Sequence, residues 1–372
     1  MKSKNKILFL ALDIFKTTGG VQNVCRTLAH ALTNTKYFCD RVTIYSAYDK
    51  LEEPNYKYID PICFRGFEKD KIKFSKSAIL KGAKSDTIII SHIHLLKIVM
   101  CIKMLNPRVR IILIAHGAEV WKNMHPMSRL FVRKYIEAFC VSHYTAKMMA
   151  VLHNIKPAKL KILNNGLDPF FEIPNHFQKP DYLLKKYNLS MDQPVLLSIC
   201  RLNAKERLKG YESVLKALPA LLKDFPNLHY LLGGQSDKSE KSHITMLVKM
   251  LGLQNNVSLT DFIPEAEMSA HYTLADVFVL PSQKEGFGLV FIEAAACGCR
   301  VISGNKDGSA DALGNGMLGT MINPESRVEL QQAIKKVIRE GRNRITSGRT
   351  QRRCLKHFSY NTYVEHLKRE LN

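Results

Sequence analysis

The sequence predicts an α/β protein with two doubly wound domains, each built on a largely parallel sheet with helices on both faces. Short apolar runs alternate with amphipathic helical patterns along almost the whole chain, and this alternation is typical of parallel sheets. The 372 residues are enough for about two domains, each with its own core. About ten strands would also make a large single open sheet, which favours two sheets.

Ten apolar runs have the length and composition of buried strands. They lie at 6–12, 41–46, 87–92, 110–116, 137–142, 194–200, 228–233, 257–259, 277–280 and 300–303. Helical patterns between and after them include 21–32, 211–225, 241–251 and 360–371.

The alternation stops near residues 165–194, where prolines and polar residues accumulate before a new strand pattern begins. We therefore assign the first domain to 1–168, a linker to 169–193 and the second domain to 194–357. In such sheets ligands bind at the carboxyl ends of the strands, so we expect the two domains to face a cleft.

The charge is strongly basic, with 55 Lys and Arg against 33 Asp and Glu and a formal net charge of +22. Nucleic acid, an anionic membrane face and a phosphorylated substrate are candidate partners, and a lysine-rich proteome explains the excess equally well. No recognition helix or combined aromatic and basic sheet motif supports nucleic acid.

The nine cysteines are scattered and odd in number, which indicates small buried residues in a reducing cytosol rather than a disulfide framework.

The strongest candidate site follows the strand at 277–280. Gly286 and Gly288 permit a tight turn, and a helical pattern over 291–296 follows them. A turn of this kind directs free backbone N–H groups at an anion, so a diphosphate would lie at the helix start. Glu285 and Glu293 would flank it, one toward a sugar and one toward a ribose. The alternative is an ordinary turn with two solvated glutamates, and the coincidence of carboxylates, glycines and core strand favours function.

Two cations near the strand at 194–200 could hold the same diphosphate. Arg201 follows that strand directly and Lys209 precedes a helix, and both residue types bind phosphate. The alternative is a solvated helix start, and Lys205 and Arg207 are rivals of Lys209. The sequence contains no Asp-x-Asp, the usual metal clamp on a sugar nucleotide, so we expect no metal and no cofactor.

Two features of the first domain give weaker evidence for a binding site. Gly19 and Gly20 follow the first strand but lack a complete dinucleotide fingerprint, so an ordinary strand–helix turn explains them too. His116 ends the strand at 110–116, where a histidine commonly caps a strand. His92 and His94 lack a third ligand at metal spacing.

The motifs together resemble those of the family-4 retaining glycosyltransferases of the GT-B fold. Glu285 to Glu293 resembles the E-x7-E signature of that family, and the other similar segments follow in the family's order. They are 15–22 (the Gly-rich loop), 115–121 (H-G-x-E), 165–168 (N-G-[VI]-D), 200–210 (G-R-L…K-G) and 358–360 (F-S-W).

The resemblance implies transfer of a hexose from a nucleoside diphosphate sugar, a UDP-hexose being favoured over a GDP-sugar, with retention of anomeric configuration. It implies a catalytic set of Glu285, His116, Arg201 and Lys209, with His116 near the transferred sugar. It implies donor-binding residues Gly19, Gly20, Gly234, Phe262, Gly286, Phe287, Gly288, Leu289, Val290 and Glu293. It also implies that the terminal segment 358–372 packs back on the first domain.

The segment 307–312 departs from the family's usual G-G-x-x-E pattern, so the sugar contacts are not an exact copy. A glycan or a lipid-linked molecule is the expected acceptor, as in polysaccharide or glycoconjugate synthesis. No apolar run approaches the ~18 residues of a membrane span. We therefore expect a cytoplasmic protein, and basic segments at 69–84, 97–110, 122–134 and 335–356 leave a peripheral position on the inner face of the cell membrane open. Solvated helix faces explain these segments equally well, and a GT-B epimerase or phosphorylase is the alternative activity.

Overall fold

The computed structural model describes residues 5–34, 42–50, 55 and 57–372. The chain divides into two compact units, Met1–Pro169 with Tyr360–Asn372, and Phe170–Ser359. Residues 170–193, which the sequence analysis assigned to a linker, belong to the second unit and include a helix. Arg41, the first residue of the strand predicted at 41–46, lies outside the described residues.

Thirteen strands and fourteen α-helices are present in the described part of the chain. The strands are β1 (Ile7–Ala11), β2 (Val42–Ser46), β3 (Phe64–Gly66), β4 (Thr87–Ile90), β5 (Arg110–Ala115), β6 (Ile136–Cys140), β7 (Leu160–Ile162), β8 (Val195–Ile199), β9 (His229–Gly233), β10 (Val257–Asp261), β11 (Val277–Leu280), β12 (Arg300–Gly304) and β13 (Gly319–Ile322). The helices are α1 (Gly20–Asn34), α2 (Lys71–Gly82), α3 (Leu96–Leu105), α4 (Pro126–Tyr135), α5 (His143–His153), α6 (Asp181–Tyr187), α7 (Tyr211–Leu221), α8 (Lys238–Met250), α9 (Glu265–Leu274), α10 (Leu289–Ala296), α11 (Ser309–Ala312), α12 (Arg327–Glu340), α13 (Arg344–Phe358) and α14 (Tyr360–Leu371).

Each unit contains one parallel sheet. The first has the strand order β3-β2-β1-β4-β5-β6-β7 and the second the order β10-β9-β8-β11-β12-β13. The direction of strand addition reverses once in each sheet, between β1 and β4 and between β8 and β11. These reversals define the topological switch points where ligands bind in doubly wound sheets. The structure thus confirms the predicted class of two Rossmann-like, doubly wound units.

The cores follow from strands that are apolar on both faces. β1, β8 and β11 are buried at every position, as expected for a sheet covered on both sides. One face of the first sheet packs on apolar residues of α2 to α5, such as Phe74, Val99 and Val132. The second sheet packs on α7, α8 and α12 through residues such as Val214, Ile244 and Ile334. The helices thus bury one stripe each and leave their polar faces exposed.

All ten predicted strands are present in the described residues, with ends within two residues of the prediction. Three strands were missed, β3, β7 and β13. Each has three or four residues and lies at the edge of a sheet. Edge strands bury less surface, so their sequences carry a weaker apolar pattern.

Candidate functional site

The loops that follow β8 and β11 come together at the switch point of the second sheet. The backbone N–H of Gln283 donates to the carbonyl of Leu208 at 2.9 Å, which ties the two loops together. Gly210 has a φ of +91°, and a Cβ at this position would lie 2.3 Å from the Pro281 carbonyl oxygen. Only glycine therefore allows this approach. The contact places the G-R-L…K-G segment directly beside the E-x7-E segment.

Lys209 and Glu285 form an ion pair at this junction. Lys209 Nζ lies 2.5 Å from Glu285 Oε2, and both side chains are less than one-fifth exposed. Burial lowers the pKa of Lys209, but the charge of Glu285 and its hydrogen bond outweigh burial and hold that pKa above its ordinary value. Lys209 is therefore a fixed cation, and Glu285 is a carboxylate held in one position.

The other basic residues of this loop have different environments. Arg207 donates to the fully buried carboxylate of Glu240, which also accepts from the Tyr211 hydroxyl at 2.6 Å. This contact gives Arg207 a structural role. Lys205 is exposed to solvent. Arg201 is 65% exposed and lies 3.6 Å from Glu206. The structure thus separates Lys209 from its rivals, while Arg201 keeps an accessible guanidinium.

The helix that carries the second glutamate begins inside the same junction. Gly288, with a φ of +89°, is the N-cap of α10, and Leu289 and Val290 form its first turn. Phe287 is buried and packs edge-to-face on Phe358, with ring centroids 5.9 Å apart. Phe287 can therefore offer a ligand only its backbone. The Phe291 N–H donates to the Gly288 carbonyl at 3.1 Å, whereas those of Leu289 and Val290 precede any intrahelical acceptor, as at every helix start, so they suit an anion.

Asp307 holds the Glu285 turn in place. Its carboxylate accepts from the backbone N–H of Glu285 at 2.6 Å and of Ser309 at 2.9 Å. Gly308 donates to the Glu285 carbonyl at 2.8 Å, and a Cβ on Gly308 would lie 2.0 Å from the Gly286 carbonyl oxygen. Burial raises the pKa of Asp307, against the lowering effect of the hydrogen bonds from Ser309 and Glu285. In the sequence, residues 307–312 stand out only as a departure from the family pattern, and the positioning role of Asp307 is visible only in the fold.

Glu293 lies two turns along α10 and is buried. Its Oε2 accepts a hydrogen bond from the Tyr272 hydroxyl at 2.8 Å. Burial and the neighbouring Glu293 carboxylate raise the pKa of Tyr272 well above its ordinary value, so this hydroxyl stays a donor. One carboxylate oxygen of Glu293 is therefore oriented by Tyr272.

Gly234 and Phe262 follow β9 and β10 at the same edge of the sheet. Gly234 has a φ of +137°, and a Cβ there would lie 1.7 Å from the Cys200 carbonyl oxygen. Its N–H donates to the Asp261 carbonyl at 2.8 Å, which brings the three loops together. Phe262 is half exposed at 51%. Both predicted residues thus lie at the carboxyl edge, beside the loop that begins with Arg201.

The first unit has a loop of different construction at its own switch point. The carboxylate of Asp49 accepts from the backbone N–H groups of Ile14 at 2.7 Å, Phe15 at 3.1 Å and Lys16 at 2.7 Å. Ser46 donates to it as well, at 2.6 Å. Sequence reasoning missed Asp49, because only the fold brings the residue after β2 under the loop after β1.

Gly19 and Gly20 stand at the end of this loop, and α1 begins at Gly20. A Cβ on Gly20 would meet no atom within 4 Å, and a Cβ on Gly19 would meet only the flexible side chain of Gln22. Neither glycine has a positive φ. Local packing therefore does not require glycine at either position, and their binding role stays a prediction.

His116 follows β5 and is a neutral, oriented imidazole. Its Nε2 lies 3.0 Å from the Ser91 carbonyl oxygen, which can only accept, so Nε2 carries the proton. Burial lowers the pKa of His116, and Glu119 only partly offsets this effect. Glu119 itself accepts from the N–H groups of His116 at 2.6 Å and Gly117 at 3.1 Å, which is a structural role.

His92 and His94 lie at the same edge of the first sheet, after β4. His92 Nδ1 accepts from the His94 backbone N–H at 3.1 Å, which uses one of its two ring nitrogens. Within the described residues, the one group with metal-ligand spacing is Glu212, Glu240 and His243. Arg207 and Lys216 already neutralise its carboxylates, so it does not suit a cation.

Comparison with known proteins identifies two consecutive family models along the chain. A glycosyltransferase family 4 model matches residues 18–170, and a model of group 1 glycosyl transferases matches residues 181–353. Together they cover most of the chain and meet near the boundary between the two units.

Curated relatives show lower but extended similarity. A GDP-mannose-dependent α-(1-6)-phosphatidylinositol monomannoside mannosyltransferase of Mycolicibacterium smegmatis is 28% identical over 254 residues, or 64% of this chain and 63% of the relative. A D-inositol 3-phosphate glycosyltransferase of Streptosporangium roseum is 29% identical over 186 residues, or 48% and 41%. The chain thus spans less than two thirds of the length of these relatives.

Among solved structures, HepE of Anabaena in complex with UDP and glucose has a TM-score of 0.79 with this chain. The two are 17% identical, and the similarity covers 99% of each chain. The likeness at this identity shows the fold.

Proposed function

Because the chain belongs to glycosyltransferase family 4, we propose that it transfers a hexose from a nucleoside diphosphate sugar, preferably a UDP-hexose, to a glycan or lipid-linked acceptor. Transfer retains the anomeric configuration and needs neither a metal nor a cofactor. The observation that carries the proposal is the Lys209–Glu285 pair at the start of α10. It combines a phosphate-binding cation, a backbone anion site and a positioned carboxylate at one switch point.

The cations replace a metal in this proposal. The diphosphate leaves with its negative charge, and Lys209, Arg201 and the N-terminus of α10 stabilise that charge electrostatically. Lys209 is already fixed by its ion pair, so little reorganisation is required when the charge develops. Arg201 is exposed and closes on the diphosphate as a two-pronged donor.

Retention follows from attack on the face that the diphosphate leaves. The bond between the anomeric carbon and the diphosphate oxygen breaks, and the acceptor oxygen bonds to the same face of that carbon. The acceptor proton passes to a diphosphate oxygen. Glu285 is paired with Lys209 and is therefore a weak nucleophile, so it holds the sugar hydroxyls. Glu293, whose carboxylate is oriented by the Tyr272 hydroxyl, holds the ribose.

The donor is tested by calorimetric titration of the full chain with UDP-glucose, UDP-galactose, UDP-N-acetylglucosamine and GDP-mannose. The fold of the UDP-bound HepE supports a UDP-sugar, and the name of the mannosyltransferase relative supports GDP-mannose. Tighter binding of a UDP-sugar is expected. Tighter binding of GDP-mannose would show that the donor base is guanine rather than uracil. Binding of none of the four would overturn the proposed function.

A basic surface on the first unit supports a lipid-linked acceptor. Residues 69–135, which include α2, α3 and α4, contain 14 Lys and Arg against three acids. All three acids bind backbone N–H groups: Asp70 that of Lys73, Asp86 that of Lys6 and Glu119 that of His116. Among the described residues, none of these three acids forms an ion pair with a cation of α2, α3 or α4, so the positive charge on these helices is largely uncompensated.

Apolar side chains are exposed among these cations. Met127 and Leu130 on α4 are 65% and 63% exposed, and Met104 and Leu105 at the end of α3 are 74% and 62% exposed. No helix in the described ranges is long and apolar enough to cross a membrane. Basic residues with interspersed apolar side chains suit the surface of an anionic bilayer, where such an acceptor would lie.

Sedimentation with vesicles tests this part of the proposal. Binding to vesicles with anionic lipid is expected at low salt, and most of it should be lost at about 0.5 M salt because charges are screened. The pair Met127→Ser and Leu130→Ser should weaken binding further, whereas Met246→Ser and Met250→Ser on α8, also exposed, should not. Absent or salt-insensitive binding would contradict the membrane surface but not the transferase.

An epimerase or phosphorylase of the same fold is the alternative, and the transferase relatives do not favour it. The two are separated by the dependence of nucleotide release on acceptor. A transferase releases the nucleoside diphosphate in proportion to acceptor. An epimerase returns an epimeric nucleotide sugar without net release of the nucleoside diphosphate, and a phosphorylase forms a sugar phosphate instead.

A further inference from the structure

The second unit contains a cavity of about 580 Å³ at the edge of its sheet opposite the switch point. Pro194, Asp276 and Arg300 line it, and they stand at the starts of β8, β11 and β12. Arg201 and Glu285 follow the ends of β8 and β11. A strand of five residues spans about 16 Å, so the cavity is separate from the candidate donor site.

The cavity is positively charged at one side. Lys179 is 7% exposed and is neutralised by Asp276, with Nζ 2.8 Å from Oδ2. Arg300 pairs with Glu340. Arg342 and Arg344 also line the cavity and have no such carboxylate partner among the described residues. Two cationic side chains are thus left for a ligand.

Arg342 is the more informative of the two. Its Nη2 donates to the Thr273 carbonyl, which fixes the guanidinium. Its Nη1 is buried and finds no hydrogen-bond acceptor in the described part of the protein. A buried donor without a partner is unfavourable, and a ligand oxygen that reaches it would remove this cost.

A helix start and an apolar wall complete the cavity. Arg344 and Thr346 belong to the first turn of α13, a helix of 15 residues whose N-terminus carries partial positive charge. The Asn343 side chain already accepts from the N–H groups of Ile345 and Thr346, so the Arg344 side chain is the main cation at this end. Phe177, Val337 and Ile338 supply apolar surface on the lining. We propose that this cavity is a second ligand site, which binds a small phosphorylated metabolite with its phosphoryl group on Arg342 and Arg344.

The site is linked to the donor side through α10. Gly288 caps the start of α10, while Gly298 and Cys299, just beyond its end, line the cavity. α13 is bonded along α10, since Gln351 Nε2 donates to the Ala296 carbonyl at 2.9 Å and Cys354 Sγ to the Ile292 carbonyl at 3.2 Å. A ligand between α13 and the end of α10 therefore contacts both helices. Its occupancy should change the affinity of the donor site, a consequence that rests on the proposed function.

Calorimetry on the full chain, with and without saturating UDP, tests the site, with inorganic phosphate and glucose 6-phosphate as probes. Saturable binding of glucose 6-phosphate is expected, with phosphate alone weaker because it lacks contacts to the apolar wall. Arg344→Gln, at an exposed position that should fold normally, should weaken binding roughly tenfold, and the double variant with Arg342→Gln should weaken it further. Arg339→Gln, an exposed charge on α12 outside the cavity lining, is the matched control and should change nothing.

Equal affinity in the parent and the double variant, or no binding by the parent, would overturn the site. UDP titrations with and without glucose 6-phosphate then test the link through α10. An unchanged UDP affinity would contradict the coupling through α10 but not the ligand site in the cavity. Failure of UDP itself to bind would count against the proposed function and leave the cavity result standing.

Discussion

The two switch points of this protein are built with opposite electrostatics. In the first unit the loop after β1 is held by backbone N–H groups on the Asp49 carboxylate, and the nearby histidines are kept neutral by burial. In the second unit the loops after β8 and β11 are held by an ion pair, with a fixed cation beside a helix start. The electrostatics of the second switch point therefore suit the charged diphosphate of the proposed donor, and those of the first suit neutral, hydrogen-bonding groups.

The largest effect is expected from the carboxylate of the second switch point. Glu285→Gln removes the charge that positions Lys209 and should lower kcat by about 10²–10³. UDP affinity should stay within a fewfold of the parent, because Lys209 remains. Steady-state kinetics and calorimetry measure both, with Glu265→Gln, an exposed glutamate on α9, as control. Near-normal turnover of the variant would exclude the proposed role of Glu285.

The cation of the same pair comes second. Lys209→Met should weaken UDP binding by about ten- to a hundredfold, because a charge-assisted hydrogen bond to phosphate is lost. Lys205→Met should have no such effect, since Lys205 is an exposed neighbour. Arg207→Met should instead lower the free energy of unfolding through Glu240 while UDP affinity persists in the folded fraction. Equal loss of UDP binding in Lys205→Met and Lys209→Met would contradict the assignment of Lys209, rather than Lys205, as the cation that binds UDP.

The first unit should respond through stability rather than ligand charge. Asp49→Asn weakens several hydrogen bonds from the loop after β1 and should cost about 2 kcal/mol in the free energy of unfolding. Asp86→Asn, an exposed carboxylate with a single backbone partner, should cost ~0.5 kcal/mol. Urea titration measures both values. A smaller cost for Asp49 than for Asp86 would show that the loop does not depend on that carboxylate.

The smallest effect concerns pH. Burial, together with His94 and His116, lowers the pKa of His92 to about 4, although Glu119 acts in the opposite direction. The unfolded chain therefore binds this proton more readily than the folded one. The contribution of neutral His92 to the free energy of unfolding is fully present above about pH 6.5 and is lost as the pH falls toward 4. His92→Gln should give a shallower fall of Tm between pH 7 and 4.5 than the parent. The exposed His357→Gln should follow the parent, and a parallel curve for His92→Gln would contradict the neutral state of the half-buried His92.

Much of the fold was predictable because its strands are buried on both faces. β1, β8 and β11 carry continuous apolar runs that no loop would carry. The carboxylates and glycines after β11 were predictable for the same reason, since their spacing follows a recognisable strand end. The edge strands β3, β7 and β13 were not, because short, partly exposed segments lack a distinctive pattern.

The sequence by itself determined the fold class, the order of the motifs and the family to which they belong, because hydrophobic period and motif spacing are local properties. Only the tertiary structure decided which cation reaches Glu285. Lys205, Arg207 and Lys209 are alternating cations of one loop that the sequence does not distinguish, and they differ only in their distant partners. The same holds for Asp49 and Asp307, whose hydrogen bonds reach residues 33 and 22 positions away in the chain. Such contacts depend on strand order and burial, and these arise when the whole sheet forms.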